Sequence, residues 1–239
     1  MFYLIGLGLN EKGISIQALE ILNKCKKIYI EEYTSDFPYN KKTLERVIRK
    51  KIIPVSRDFV ENKSEDIILE SKKSNIALLV YGSPLVATTH ISLIKDLKNK
   101  KIKYKVIHST SILDALTETG LQIYKFGKGT SMPRWTKSFR PESFIDIVME
   151  NQKINAHTII FVDPGLEIIE ALEQLNESAK DKKLKIDKIV ICSRLGTKDD
   201  KIIYDKIHNL IKRKIKKPYC IIIPGKLHFM EKEFLENYS

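Results

Sequence analysis

The sequence has few cysteines, a single tryptophan and no long apolar run, and each scarcity removes a class of function. Cys25, Cys192 and Cys220 are its only cysteines, widely spaced and without a CxxC pair. No histidine stands at metal-ligand spacing from them, so neither a disulfide framework nor a zinc site is expected, and the usage fits a reducing, cytoplasmic setting. Cys192 and Cys220 lie inside the apolar runs IVICS and YCIII and read as small buried hydrophobes. No stretch approaches the roughly 18–20 apolar residues that a membrane span needs. The opening MFYLIGLGLNEKG has no basic leader and no small-residue cleavage pattern, so it reads as a first core strand rather than a signal peptide. Internal repeats and low-complexity segments are also lacking.

What is present is an ordinary globular balance with an excess of positive charge. The 239 residues, 43% hydrophobic and 30% charged, are enough for one α/β unit or two smaller domains. Forty-two Lys and Arg face 30 Asp and Glu, a formal net charge of +12. A positive field favours acidic partners. The lysines are dispersed rather than gathered in one tail, and no aromatic RNA-recognition pattern accompanies them, so nucleic acid is not an expected partner.

Short runs of Ile, Val and Leu alternate with amphipathic stretches along almost the whole chain. Strands are predicted over residues 2–5, 27–30, 76–81, 104–107, 158–162, 188–192 and 219–223. Helices are predicted over 16–23, 42–49, 65–72, 91–98, 142–150, 167–179, 201–214 and 228–237. Ser15 reads as the first helix cap, Asn62 with Glu65 as a capping box, and Pro141 as a first helical position. Near-continuous apolar strands separated by helices indicate buried parallel strands of an α/β protein. Residues 120–141 break the rhythm, with three glycines followed by MPRWTKSFR. A domain junction is therefore placed near 108–120, giving domains at 1–110 and 111–239.

In open α/β sheets ligands bind beyond the carboxyl ends of the strands. Those ends carry Gly6-Leu7-Gly8-Leu9, then Tyr81-Gly82-Ser83-Pro84 running on through Val86-Ala87-Thr88-Thr89-His90. Two later ends carry His108-Ser109-Thr110-Ser111-Ile112 and Phe161-Val162-Asp163-Pro164, and the last strand closes on Pro224-Gly225-Lys226-Leu227-His228. Glycines let a ligand approach the backbone or let the chain turn sharply. Small hydroxyl residues offer neutral hydrogen bonds suited to a nucleoside or an amino-acid tail. The first glycine pair lacks the third glycine of a dinucleotide fingerprint. Asp163 suits either a ligand amino group or a turn cap. The five histidines follow no metal spacing and read as structural.

Taken in order, YLIGLGL, SPLVATTH, HSTSI, GLQIYKFGKGTSMP, HTIIFVD and PGKLHFME resemble the successive motifs of the diphthine synthases over essentially the whole chain. The resemblance implies a two-domain tetrapyrrole-methylase-like α/β fold, with a mainly parallel N-terminal sheet and a mixed C-terminal αβ domain. It also implies a homodimer with S-adenosyl-L-methionine held in the cleft between the domains. The substrate implied is translation elongation factor 2, bearing a histidine already extended by an aminocarboxypropyl group. Archaeal-type members make the trimethylated diphthine, whereas the usually longer eukaryotic members add a fourth methyl as an ester, and the length of this chain favours the archaeal type. Family cofactor contacts carry over to Leu9, Ser83, Val86, Ser111, Ile112 and Val162, and in a less direct register to Leu195 and Tyr219. Ser83 replaces an aspartate of the family motif, so a hydrogen bond accepted there lacks charge assistance and is expected to be weaker. Asn155-Ala156 likewise replaces a usual glycine–leucine pair.

Methyl transfer from a sulfonium asks the protein mainly for orientation and a dry site, so no catalytic triad is expected and no catalytic residue is assigned. Tyr124, Phe126, Trp135 and Phe139 are candidates for facing a quaternary ammonium product, and Arg134 and Arg140 for gripping an acidic partner. Two alternatives remain: a tetrapyrrole-type small-molecule methylase, and a non-catalytic basic binding protein that has lost cofactor affinity.

Overall fold

Residues Phe2–Gly6 (β1) form the first strand because the N-terminal apolar run has another such run on either side to pair with. The computed structural model describes residues 1–239, and the chain divides into two compact units, Met1–Asp114 and Ala115–Ser239. No helix is long and apolar enough to cross a membrane.

The first unit continues through α1 (Ile16–Asn23), β2 (Lys27–Glu31), α2 (Lys41–Ile48), β3 (Ile53–Val55), α3 (Arg57–Glu61) and α4 (Ser64–Lys73). It is completed by β4 (Ile76–Val80), α5 (Ile91–Asn99), β5 (Tyr104–Ile107) and α6 (Ile112–Ala115), at whose end the division falls. Its five strands are all parallel, in the order β3-β2-β4-β1-β5. Strand alternation splits the core in two. Ile5 and Leu7 face Ala18, Leu22, Leu44 and Ile48 of α1 and α2. Phe2 and Leu4 face Ile67, Ile68, Leu93, Ile94 and Leu97 of α4 and α5. Helices on both faces explain why IALLV of β4 is buried at every position.

This strand order creates a switch point. The chain leaves β1 past β4 to reach β2, and leaves β4 past β1 to reach β5. The two connections therefore leave in opposite directions beyond the carboxyl ends of β1 and β4, the place where open α/β sheets bind their ligands.

The second unit comprises β6 (Thr130–Met132), α7 (Ser143–Lys153), β7 (Thr158–Val162), α8 (Ile168–Asp181) and β8 (Lys188–Ser193). Then come β9 (Lys201–Lys206), α9 (Ile207–Leu210), β10 (Tyr219–Ile223) and α10 (Phe229–Glu236). Its sheet runs β6-β7-β10-β8-β9 and is mixed: only β6 and β7 are parallel. Phe144, Ile145 and Val148 of α7 and Leu172 and Leu175 of α8 cover one face. Cys192 and Cys220 lie directly opposite each other on β8 and β10, buried as free thiols, and Cys25 is buried in the first unit.

Three local expectations are corrected. Residues 201–214 are not one helix. Ile202, Ile203 and Tyr204 favour a strand and pair with β8 over six positions, and this pairing outweighs the local helical pattern. Only Ile207–Leu210 is helical, and the Asp205 side chain turns the chain there by accepting from the Lys206 N–H and the Asn209 amide at 2.8 Å each. Asn62 does not cap α4. It ends α3, its N–H bonding to the Asp58 carbonyl at 2.9 Å, and α4 starts after Lys63 with Glu65 and Asp66 in its first turn. Those two carboxylates complement the helix dipole where no side-chain cap exists. Pro141 lies ahead of α7, whose cap position is Glu142, and its carbonyl accepts the Trp135 indole N–H at 3.0 Å.

Candidate functional site

The β1 and β4 loops are joined by their backbones at this switch point. Gly8 donates to the Gly82 carbonyl at 3.2 Å and Gly82 to the Gly8 carbonyl at 3.0 Å, while Leu7 donates to Val80 at 2.9 Å. Both Gly8 (φ 73) and Gly82 (φ 70) are left-handed, a conformation that glycine adopts without a steric penalty. Gly6 is required for a different reason: a Cβ there would lie 2.6 Å from the Gly82 carbonyl oxygen and 2.9 Å from Pro84. At Gly82 the opposite holds, since a Cβ would meet nothing nearer than 3.8 Å. Gly82 is itself buried, so its positive φ rather than crowding is what calls for glycine there.

Hydrogen bonds from hydroxyls and backbone amides hold the neighbouring segments. The Tyr81 hydroxyl donates to the Leu9 carbonyl at 2.9 Å, fixing the β1 loop. Val86 N–H donates to the Ser83 carbonyl at 3.1 Å, and the Thr88 hydroxyl to that of Pro84 at 2.9 Å. Beyond β5, the Ser109 hydroxyl donates to Gly13 at 3.2 Å. The Ser111 hydroxyl and N–H both bond Asp114 Oδ2, at 2.9 and 2.6 Å, and Leu113 N–H returns to Ser111 Oγ at 3.2 Å. Leu9, Ser83 and Ser111 are buried, and Val86 and Ile112 are half-buried. The five N-terminal candidates therefore fall on three adjacent strand ends of one parallel sheet.

Sequence reasoning passed over the end of β2, where EEYTSDFPYN supplies supports for these loops. Burial holds the His90 imidazole below its ordinary pKa, against the raising influence of Glu31. Its Nδ1 faces the Pro84 carbonyl at 3.3 Å and its Nε2 the Tyr33 hydroxyl at 3.4 Å. A neutral ring with the proton on Nδ1 satisfies both contacts. The fully buried Glu31 accepts the N–H groups of Tyr33 and Thr34 at 3.1 Å each. Tyr39 packs beside Tyr81, ring centroids 6.4 Å apart, and its hydroxyl is buried without a hydrogen-bond partner. A run of aromatic and turn residues after a strand was the available signal; the orphaned hydroxyl is visible only in three dimensions.

In the second unit, Val162 ends β7 half-buried, and Leu195 and Tyr219 are buried, 2% and 7% exposed. The Tyr219 hydroxyl donates to the Leu166 carbonyl at 3.1 Å. Asp163 acts as a turn cap, its Oδ2 accepting Arg134 N–H at 2.9 Å and its carbonyl Leu166 N–H at 3.1 Å. The Arg140 guanidinium lies 4.1 Å from the Trp135 ring centroid and 2.7 Å from Glu177. One Trp135 face is thus already occupied by a cation of the protein itself. Tyr124 is 80% exposed, whereas Phe126 packs edge-on against His157.

A closed ionic network was not anticipated. Glu231 and His157 are both fully buried. Glu231 Oε1 accepts His157 Nε2–H and Gln122 N–H at 3.0 Å each, and Oε2 accepts His228 N–H at 2.8 Å together with the Lys125 ammonium. Gly225 N–H donates to His157 Nδ1 at 2.9 Å, which fixes the tautomer with its proton on Nε2. Burial alone would raise the Glu231 pKa, but these donors outweigh it and hold the carboxyl at about 2. Burial lowers the pKa of His157 despite Glu231. Every carboxylate oxygen has its donors, so this is a structural staple and not an open reactive group. No group of three or more His, Cys, Asp or Glu is arranged to hold a metal ion.

Comparison with known proteins follows the same outline. The family Tetrapyrrole (Corrin/Porphyrin) Methylases matches residues 1–211. The diphthine methyl ester synthase of Schizosaccharomyces pombe is 33% identical over 267 residues, covering 100% of this chain and 94% of that protein. The diphthine synthase of Methanococcus aeolicus is 36% identical over 252 residues, covering 99% and 97%. A crystal structure of a diphthine synthase superposes with a TM-score of 0.91 at 30% identity, covering 100% of this chain and 96% of that one.

Proposed function

The chain belongs to the tetrapyrrole methylase family, as an S-adenosylmethionine-dependent methyltransferase of diphthamide biosynthesis, and from that premise we propose that it methylates the amino group of the modified histidine of translation elongation factor 2 to give diphthine. The observation that carries the site assignment is the Gly8–Gly82 pair at the switch point of the parallel sheet. It brings two loop backbones together at left-handed glycines whose main chain no side chain of their own covers, with Ser83 following directly on Gly82. That chemistry fits a nucleoside and an amino-acid tail, and the orphaned Tyr39 hydroxyl is a polar atom left for a ligand or a water to satisfy.

We assign Leu9, Ser83, Val86, Ser111 and Ile112 to the cofactor on this ground. Val162, Leu195 and Tyr219 are assigned on the family resemblance. When bound, S-adenosylmethionine supplies a methyl carbon activated by a cationic sulfonium. The loops then have to orient that carbon and exclude water. The attacking amine is neutral in useful amount without a dedicated base, since an α-amino group has a pKa of about 8. Its proton leaves to solvent, since no residue is assigned as a general base. The tetrapyrrole-substrate and non-catalytic alternatives are not favoured, because relatives from both eukaryotes and archaea carry the diphthine synthase name.

The test is calorimetric titration with S-adenosylhomocysteine of the wild type and a Ser83→Asp variant. Saturable binding at one site per subunit is expected, tighter in Ser83→Asp because a carboxylate accepts a charge-assisted bond. Absence of binding by both would remove the cofactor assignment. Incubation with elongation factor 2 carrying the aminocarboxypropyl histidine should then add three methyl masses. A fourth mass, labile to mild base, would identify the ester-forming activity named for the Schizosaccharomyces pombe and human relatives. We further propose that the enzyme works in the cytoplasm as a homodimer, which sedimentation of the purified protein checks.

A further inference from the structure

The seven arginines of this chain are not distributed evenly between paired and unpaired states. Arg57, Arg134, Arg140, Arg194 and Arg213 each lie 2.7 to 3.8 Å from a carboxylate. Arg46 and Arg49 have no carboxylate partner, and both line one concavity of about 590 Å³ with Lys42, Lys50, Lys51 and Glu45. The one carboxylate there is already engaged: Glu45 accepts Ile52 N–H at 2.9 Å and has Lys41 at 3.6 Å. Lys50 is also committed, its ammonium donating to the carbonyls of Leu22, Asn23 and Cys25 at 2.9, 2.7 and 2.9 Å. Arg46 makes only long contacts, 3.5 Å to the Lys42 carbonyl and 3.3 Å to the Thr43 hydroxyl. Lys42, Arg46, Arg49 and Lys51, all exposed, are thus crowded together with their charge unmatched. Like charges gathered in a concave site raise the local potential and attract a complementary anion.

The position of the concavity indicates what kind of anion. Helix α2 returns from the carboxyl end of β2 to the amino end of the parallel β3, so its last turn lies at the opposite end of the first unit's sheet from Gly8 and Gly82. An occupant there cannot be the reacting group, and only a large substrate reaches both places. No aromatic side chain lines the concavity, so the base-stacking platform of a single-stranded nucleic-acid site is absent. We propose that this concavity is an exosite that docks an acidic segment, a short run of Asp and Glu, on the protein substrate. The proposal rests on the reading of the substrate as a protein. Arg46 and Arg49 supply forked donors for its carboxylates, and Lys42 and Lys51 supply field.

The experiment compares the wild type with R46Q/R49Q and with K72Q/K73Q, an exposed pair on α4 that removes the same charge elsewhere. On intact elongation factor 2, R46Q/R49Q should raise KM about tenfold with kcat unchanged, and should flatten the dependence of KM on salt. K72Q/K73Q should change KM less than twofold, about the effect of diffuse surface charge. Thermal unfolding of R46Q/R49Q should match the wild type, since both side chains are exposed. Fluorescence anisotropy with a labelled hexaglutamate peptide should show binding that R46Q/R49Q loses. An unchanged KM, an equal rise in K72Q/K73Q, or tighter binding of a twelve-residue oligouridine than of hexaglutamate would overturn the exosite. If the wild type binds no S-adenosylhomocysteine, the methyltransferase reading fails, while the hexaglutamate measurement still decides the concavity by itself.

Discussion

At the carboxyl ends of β1 and β4 in the first unit, the buried polar groups are backbone amides, hydroxyls and the uncharged His90 ring, with the Gly8–Gly82 pair joining the loops. At the start of β7 in the second unit they are ions, with Glu231 holding His157, Lys125 and two backbone N–H groups. The first arrangement joins two loops through left-handed glycines and leaves one tyrosine hydroxyl nearby unsatisfied. The second is complete, and adding or removing a partner can only weaken it. A binding loop needs polar groups in reserve, whereas a staple needs them all spent, and the two units divide these tasks. The staple ties together the segment at 122–125, the entry to β7 and the start of α10, three stretches far apart in sequence.

The sharpest way to break this contrast is Glu231→Gln. Losing the charge leaves the half-buried Lys125 and the buried His157 contacts uncompensated, and a stability loss of about 3 kcal/mol is expected. Denaturant unfolding measures it, and the same variant, kept at a temperature where it is folded, should bind S-adenosylhomocysteine as the wild type does. A loss under about 1 kcal/mol would show that the network is ornamental.

Acid should probe the same site in two stages. The neutral buried His157 resists a proton that the unfolded chain accepts, so stability begins to fall as pH drops below 6.5. Glu231 keeps its charge down to about 2, while an unfolded glutamate protonates near 4.5, so a further loss develops between those values. That second loss amounts to roughly 3 kcal/mol at full protonation. The protection of the Gln122 and Gly225 amides, both bonded into the network, should fall relative to the unfolded chain as the pH drops below 4.5. Protection unchanged down to pH 3 would refute this account.

On the other side of the comparison, Gly6→Ala places a methyl 2.6 Å from the Gly82 carbonyl oxygen. The two loops must part, at a cost of about 2 kcal/mol in stability. S-adenosylhomocysteine affinity should fall by more than tenfold, and calorimetry that found it intact would detach these two loops from the cofactor. The smallest effect is expected from Tyr39→Phe. Removing an unpartnered buried hydroxyl should leave the protein as stable as before, or stabilise it by up to about 1 kcal/mol. A loss of stability on thermal unfolding would mean that a bound water satisfies that oxygen.

Much of the architecture was legible in the chain itself. Short apolar runs bounded by helical stretches read as strands of a parallel sheet, and those at 2–5, 27–30, 76–81 and 104–107 stand within a residue of β1, β2, β4 and β5. The glycine-rich and hydroxyl-rich ends of those strands pointed to the ligand loops for the same reason, because a backbone that must turn or meet a ligand needs small residues. Caps with a local partner were legible too, Ser15 accepting from Ala18 N–H at 3.1 Å. The run from 201 to 214 was not, because strand or helix there depends on whether β8 offers an edge. The short strands Ile53–Val55 and Thr130–Met132 escaped for the same cause.

Composition and pattern by themselves determined an α/β chain with two cores, neutral loops at its strand ends and a surplus of positive charge. Only the tertiary structure decided that β1 lies between β4 and β5, that Gly8 and Gly82 meet, that Glu231 reaches His157, and that Arg46 and Arg49 are the two arginines left unpaired. Each of these is a contact between residues distant in the chain or a property of the space around them. Local propensity carries no information about such contacts, because the free energy that selects them comes from packing the whole unit at once.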